Sequence, residues 1–172
     1  MRWMWIDRVV ELVPKQRLVA IKNVSLAEEH LHDHFSATQH RPAMPIMPAS
    51  LIIEGMAQSA GLLVGHASGF ARNVVLAKIG NAEFSRDVSP GQTLRYTATM
   101  LKYDANGAST QGLVEVMDAA HARPFEPIGE IEIMFSHADQ AMDLKGLGQN
   151  IPTHNFVFGE AFKTLLRTSG IA

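Results

Sequence analysis

Cysteine is absent from the 172 residues, which excludes disulfide staples, a thiol nucleophile and cysteine-ligated zinc or iron–sulfur centres. A basic excess is missing as well. Fifteen Lys and Arg stand against 17 Asp and Glu, scattered rather than clustered, so no nucleic-acid partner is expected. Nor is there an apolar run of bilayer length: the longest, Leu51 to Val64, carries Glu54, Gln58 and Ser59 and falls short of the roughly 20 residues a span requires. The opening MRWMWIDRVVELVPK places Asp7, Arg8 and Glu11 where a secretory signal would keep an apolar core. The expected compartment is therefore the cytoplasm. Repeats and low-complexity tracts are also lacking. What remains has the size of one ordinary domain, able to bury roughly 70% of its unfolded surface without a staple.

Hydrophobic periodicity divides the chain. From Trp3 to Ser25, WMWIDRVVEL and RLVAIKNV flank Val13-Pro14-Lys15-Gln16 and predict a hairpin with a proline-containing turn. Leu26 to Met47 has no sustained period and holds His30, His32, His34 and His40; it predicts a loop with at most one helical turn. Pro48, Ala49 and Ser50 then open SLIIEGMAQSAGLLVGHASG, with Gly65 and Gly69 as stop signals. This helix is apolar on nearly every side, so other elements must wrap it. Four β-like segments follow: NVVLAKIGNAEFSR, QTLRYTATMLKY, STQGLVEVMD and PIGEIEIMFSH, with a tight hairpin at Asn106-Gly107. The pattern predicts an α+β domain over residues 1–137, an antiparallel sheet of about six strands curled around one long buried helix. Residues 138–172 form a C-terminal extension ending in a short amphipathic helix within HNFVFGEAFKTLLRTSG, packed on the same domain.

Glu54 is the first functional candidate. A carboxylate in an apolar helix is costly unless it is paired, hydrogen-bonded or protonated, and Gln58 lies one turn later on the same face. A plainer reading makes the two residues the wet edge of the helix. In the histidine-bearing loop, His30, His32 and His34 alternate and would share one face of a strand, a pattern able to ligate metal. No HExxH accompanies it. One histidine acting as a base is the better reading, and neither metal nor cofactor is expected.

The string PIMPASLIIEGMAQSAG, Pro45 to Gly61, resembles the central-helix signature of the β-hydroxyacyl-acyl carrier protein dehydratases of fatty-acid synthesis, a family with the hot-dog fold. IDRVVELVPKQRLVAIKNVSL looks like that family's opening hairpin; KIGNAEFSRDVSPGQTLRYTATM and GEIEIMFSH look like its later strands. The likeness runs roughly from Trp5 to His137. It implies a composite site across a two-fold dimer, made by a helix carboxylate and the His of a His-Phe dipeptide. Glu54 matches the carboxylate. Two histidines compete for the other place: counted forward from Asn23 it is His34, followed by Phe35, and counted back from Glu54 it is His40, with Pro42 two residues on. The His-Phe pair favours His34, leaving Ser36 to Arg41 as an inserted loop. Several positions depart from the family pattern: Asp33 stands for a Gly, Ser36 for a Pro, Ala49 for a Gly, and Ala82 and Glu83 for basic residues near the carrier-docking edge.

The resemblance implies a hydro-lyase that converts a (3R)-3-hydroxyacyl thioester, carried on acyl carrier protein, to the trans-2-enoyl thioester. Its catalytic pair would be His34 as general base and Glu54 as general acid, with Ala49, Gln58 and Phe35 contacting substrate. The Ala49 N–H would stabilise developing enolate charge. A homodimer or larger homo-oligomer is expected. A thioesterase or a non-catalytic acyl-thioester-binding subunit would use the same fold.

Overall fold

The computed structural model describes residues 4–121, 123–138 and 157–171. The chain opens with a hairpin, β1 (Arg8–Val13) and β2 (Arg17–Asn23). Its turn is closed by Gln16 N–H donating to the Val13 carbonyl, with Lys15 in the left-handed region. The first strand starts at Arg8 rather than at Trp3. Trp5 and Ile6 instead lie buried in the core as a strap leading into the sheet.

One helical turn, α1 (Glu29–His32), interrupts the following loop, and the long helix α2 (Ala49–Ala67) comes next. Then come β3 (Asn73–Phe84), β4 (Gln92–Tyr103), β5 (Gly107–Asp118), β6 (Glu126–Ala138) and, after residues 139–156, which lie outside the described residues, α3 (Glu160–Thr168).

The strands form one antiparallel six-stranded sheet in the order β1-β2-β4-β5-β6-β3. It curls around α2, which lies against β2, β3, β4, β5 and β6. Twelve consecutive or near-consecutive α2 residues, Ile52 and Gly55 to Gly65, are buried, as an apolar helix inside a sheet should be. Tyr96 of β4 packs so closely that a Cβ on Gly55 would sit 2.5 Å from its hydroxyl oxygen; glycine there is a requirement of packing. The helix ends where Gly69 and Phe70 take positive φ and the Phe70 N–H donates back to the Gly65 carbonyl, a reversal that caps the last carbonyls.

The predicted α+β layout and curled sheet are therefore what the chain adopts. What periodicity did not reveal is the order of the strands. β3 follows the helix in sequence yet sits at the far edge, paired with β6, with register shifts at Leu76/Lys78 and Ile79/Asn81.

Candidate active site

Glu54 and Gln58 occupy one face of α2, a single turn apart, and the Gln58 side-chain amide N–H donates to Glu54 Oε1 over 2.9 Å. The amide cannot turn round. Its carbonyl oxygen accepts the buried Trp5 backbone N–H at 2.8 Å, and an N–H needs an acceptor, so the NH2 end faces the carboxylate. The strap before β1 thus holds Gln58, and Gln58 holds one Glu54 oxygen; among the described residues the other carboxyl oxygen has no hydrogen-bond donor. Sequence reasoning placed Gln58 beside Glu54 but did not foresee Trp5, whose contribution is a backbone atom and leaves no signature in the residue type.

Glu54 and Gln58 line a cavity of about 370 Å3. Further along α2 its floor is Ala57 and Gly61; β3 contributes Val74 and Leu76, β6 contributes Phe135, and the far wall is Val157 to Phe162 of the C-terminal segment. Such a volume lies at the lower end of the roughly 300–1,000 Å3 typical of small-ligand pockets, and a mostly apolar wall with one oriented polar pair suits an acyl chain bearing a reactive head. Glu160 stands at the rim. A hydrogen bond from Lys163 and the charge of Arg167 hold its carboxyl below the ordinary carboxylate range. Behind the helix, burial, with smaller contributions from Asp7 and Glu28, pushes the Tyr96 hydroxyl far above the ordinary phenol range, so it stays neutral.

His34 is not among the residues lining this cavity. It lies half-buried after α1, in a separate surface hollow with Leu26, Ala27, Leu31 and His32. Its Nδ1 is 2.8 Å from the Leu31 carbonyl. A carbonyl only accepts, so in the neutral ring Nδ1 carries the proton and Nε2 presents the lone pair, the tautomer a base needs. His30 and His32 sit on the helical turn rather than on a strand.

The six residues after Phe35 fold back on themselves. Phe35 pairs with Met44 and Thr38 with Arg41, which leaves His40 exposed at the tip of this excursion. Phe35 is 69% exposed, with the Arg41 guanidinium over its ring. Ala49 is the first residue of α2, exposed and without a side-chain cap before it, while the Leu51 and Ile52 N–H groups donate to the Pro48 carbonyl. Glu54 and Gln58 thus meet at one cavity, and His34, Phe35 and Ala49 are not among the described residues that line it.

A curled antiparallel sheet wrapped on one long helix is the hot-dog fold. Residues 2–120 match the FabA-like domain, and the chain belongs to the FabA-like family. Among curated proteins it is 36% identical to the 3-hydroxyacyl-[acyl-carrier-protein] dehydratase FabZ of Solibacter usitatus, over 78% of this chain and 76% of that one. With the dehydratase FabZ of Campylobacter concisus it shares 39% identity over 66% of this chain and 77% of the other. A solved structure, the dehydratase heterocomplex ApeI:P of Xenorhabdus doucetiae, superposes with a TM-score of 0.61 over 86% of this chain and 91% of that chain at 14% identity, a likeness of fold. Among the described residues, no helix is long and apolar enough to cross a membrane.

Proposed function

We infer that this protein is a hydro-lyase that removes water from a (3R)-3-hydroxyacyl thioester to give the trans-2-enoyl thioester, in fatty-acid or related acyl-chain synthesis. The observation that carries the reading is Glu54: in a chain of the FabA-like family, the helix carboxylate lines a mostly apolar cavity with one oxygen held by Gln58. The C2 proton passes to the Nε2 of His34 and the C2–H electron pair becomes the C2=C3 bond. The C3–O bond breaks, and the departing hydroxyl takes a proton from Glu54 to leave as water. His34 then holds the abstracted proton and Glu54 has lost one, and exchange with solvent resets both. Developing negative charge on the thioester oxygen is met by the Ala49 N–H at the start of α2. These steps ask nothing of a metal or a cofactor.

The working site belongs to a dimer, with the His34 imidazole supplied by a second copy. Two features support this. His34 and Glu54 line different cavities within one chain, and the cavity wall includes Val74 and Leu76 of β3, the strand at the sheet's edge. A partner pairing on that edge would border the cavity itself. Phe35, exposed in the single chain, would then be covered against substrate or partner. The substrate is carried on acyl carrier protein, as the names of the curated relatives suggest, and the compartment is the cytoplasm. Residues 1–137 form the catalytic domain, and 138–172 an extension whose helix packs on it.

The test is direct. Purified protein given 3-hydroxybutyryl and crotonyl thioesters should change enoyl absorbance without releasing free thiol, and Glu54→Gln should lower kcat by about 100-fold or more while the melting temperature holds. Thiol release without enoyl interconversion would make the protein a thioesterase. Near-normal dehydration by Glu54→Gln would remove the carboxylate from the chemistry.

A further inference from the structure

The C-terminal segment is not a bystander of the cavity. Along α2 the stripe Glu54, Ala57, Gln58 and Gly61 lines it, and the next position of the same stripe, four residues beyond Gly61, is Gly65. There the open groove ends. The ring of Phe158 occupies the place of a Gly65 side chain: a Cβ on Gly65 would lie 2.5 Å from its Cζ and 2.6 Å from its Cε2. Phe158 is itself wedged edge-on between Phe70 and Phe162, with ring centroids 5.0 and 5.9 Å away, and both Phe158 and Phe162 are buried. Phe158 and Phe162 lie beyond the 2–120 stretch that matches the FabA-like domain.

Building on the dehydratase reading, we propose that Val157–Phe162 is the chain-length stop of the acyl site, with Phe158 as the plug that sets it. Seven helical residues from Glu54 to Gly61 span about 10 Å at 1.5 Å per residue. An extended chain advances roughly 3.5 Å for every three backbone bonds. With C3 of the substrate held at Glu54, about nine further bonds reach Gly61 before the next carbon meets Phe158. The site therefore takes 3-hydroxyacyl thioesters of short and medium length, up to about twelve carbons on this measure, and refuses long ones. Gly61 is the complementary position. A Cβ there meets first the Phe135 ring at 3.7 Å, an ordinary contact, so a larger side chain fits against the sheet and fills the cavity from the helix side.

The experiment compares kcat/KM for the 3-hydroxybutyryl, 3-hydroxydecanoyl and 3-hydroxyhexadecanoyl pantetheine thioesters. It also compares, by calorimetry, the affinities of unreactive amide analogues of the same three chains. The natural protein should prefer the decanoyl to the hexadecanoyl chain by at least about tenfold, since a few methylenes that do not fit are worth that much. Phe158→Ala, or the gentler Phe158→Leu if the alanine variant melts too low, should raise the hexadecanoyl-to-decanoyl ratio about tenfold or more. Gly61→Leu should lower the decanoyl-to-butyryl ratio by a similar factor. Leu166→Ala, which loosens α3 at a buried position away from the cavity, should leave both ratios unchanged.

Equal use of the hexadecanoyl and decanoyl chains by the natural protein overturns the proposal, as does a ratio moved by Leu166→Ala as much as by Phe158→Ala. If no thioester is dehydrated, the dehydratase reading falls, and the amide series still decides the stop: length-selective binding relieved by Phe158→Ala upholds it, and binding blind to chain length sinks it.

Discussion

The two edges of the sheet are treated differently. At one edge β1 is short, six residues, with charged Arg8 and Glu11 and a register shift between Val9 and Glu11, features that blunt an edge against pairing. The chain's own C-terminal helix also covers it: α3 lies against β1, and the Val9 N–H donates to Ser169 Oγ at 3.0 Å. At the other edge β3 runs for 12 residues, with Val75, Leu76 and Ile79 each about two-fifths exposed and Met134 of the neighbouring strand half exposed. Among the described residues the chain closes one edge with itself and leaves the other long, with exposed apolar side chains and bordering the Glu54 cavity. An edge of that kind is a template for a second strand. The contrast teaches that the less protected edge and the Glu54 cavity are on the same side of the molecule.

If the open edge completes the site, His34 has to matter as much as a positioned base. His34→Ala should lower kcat by about 100-fold or more, whereas His40→Ala, at the exposed tip of the inserted excursion, should cost far less. Steady-state turnover of a 3-hydroxyacyl thioester decides it, and reversed losses would move the base to His40. Subunit mixing sharpens the same point. When inactive Glu54→Gln and His34→Ala proteins are unfolded and refolded together, roughly a quarter of the natural activity should return, because half of randomly paired dimers are mixed and each holds one intact site. No recovery would mean that Glu54 and His34 act within one chain or not at all.

The edges themselves can be broken separately. Lysines at Leu76 and Ile79 together should turn a dimeric mass into a monomeric one by light scattering and remove activity with it, since a charged edge repels its copy. An unchanged mass would place any dimer contact elsewhere. At the closed edge Ser169→Ala should leave the mass alone and cost about 1 kcal/mol in denaturant unfolding, the ordinary worth of one hydrogen bond. The smallest effect is expected inside the sheet. Among the described residues the buried Tyr96 hydroxyl has no hydrogen-bond partner, so Tyr96→Phe should shift stability by less than about 1 kcal/mol in either direction, because no bond is lost. A larger loss would reveal a bonded water at that oxygen.

Much of this was legible in advance. The continuous apolar face of Leu51 to Val64 announced a wrapped helix, alternating segments announced the strands, and Glu54 stood out as a carboxylate where none is cheap. Strand-like residues from Trp3 predict a strand start that the structure places at Arg8, because Trp5 and Ile6 are spent on the core. Of the cavity's lining, Gly61 lay one helical step beyond Gln58 and Ala57 and was open to inference. Phe158 was not. It reaches α2 across more than ninety residues of sequence, and no local pattern encodes which groove an aromatic ring will fill.

The sequence by itself determined the local choices: where the helix starts and stops, which segments extend, and that a single acid sits on the buried element. These depend on residues within a turn or a strand of one another, through periodicity, glycine's access to positive φ and the cost of an unpaired carboxylate. Tertiary structure alone decided that β3 lies at the far edge, that the Trp5 N–H orients Gln58 toward Glu54, and that the C-terminal helix closes β1 while Phe158 closes the groove. Each joins residues distant in the chain through backbone atoms or shape, and neither a backbone N–H nor the volume beside a glycine is written in the identity of the residue that uses it.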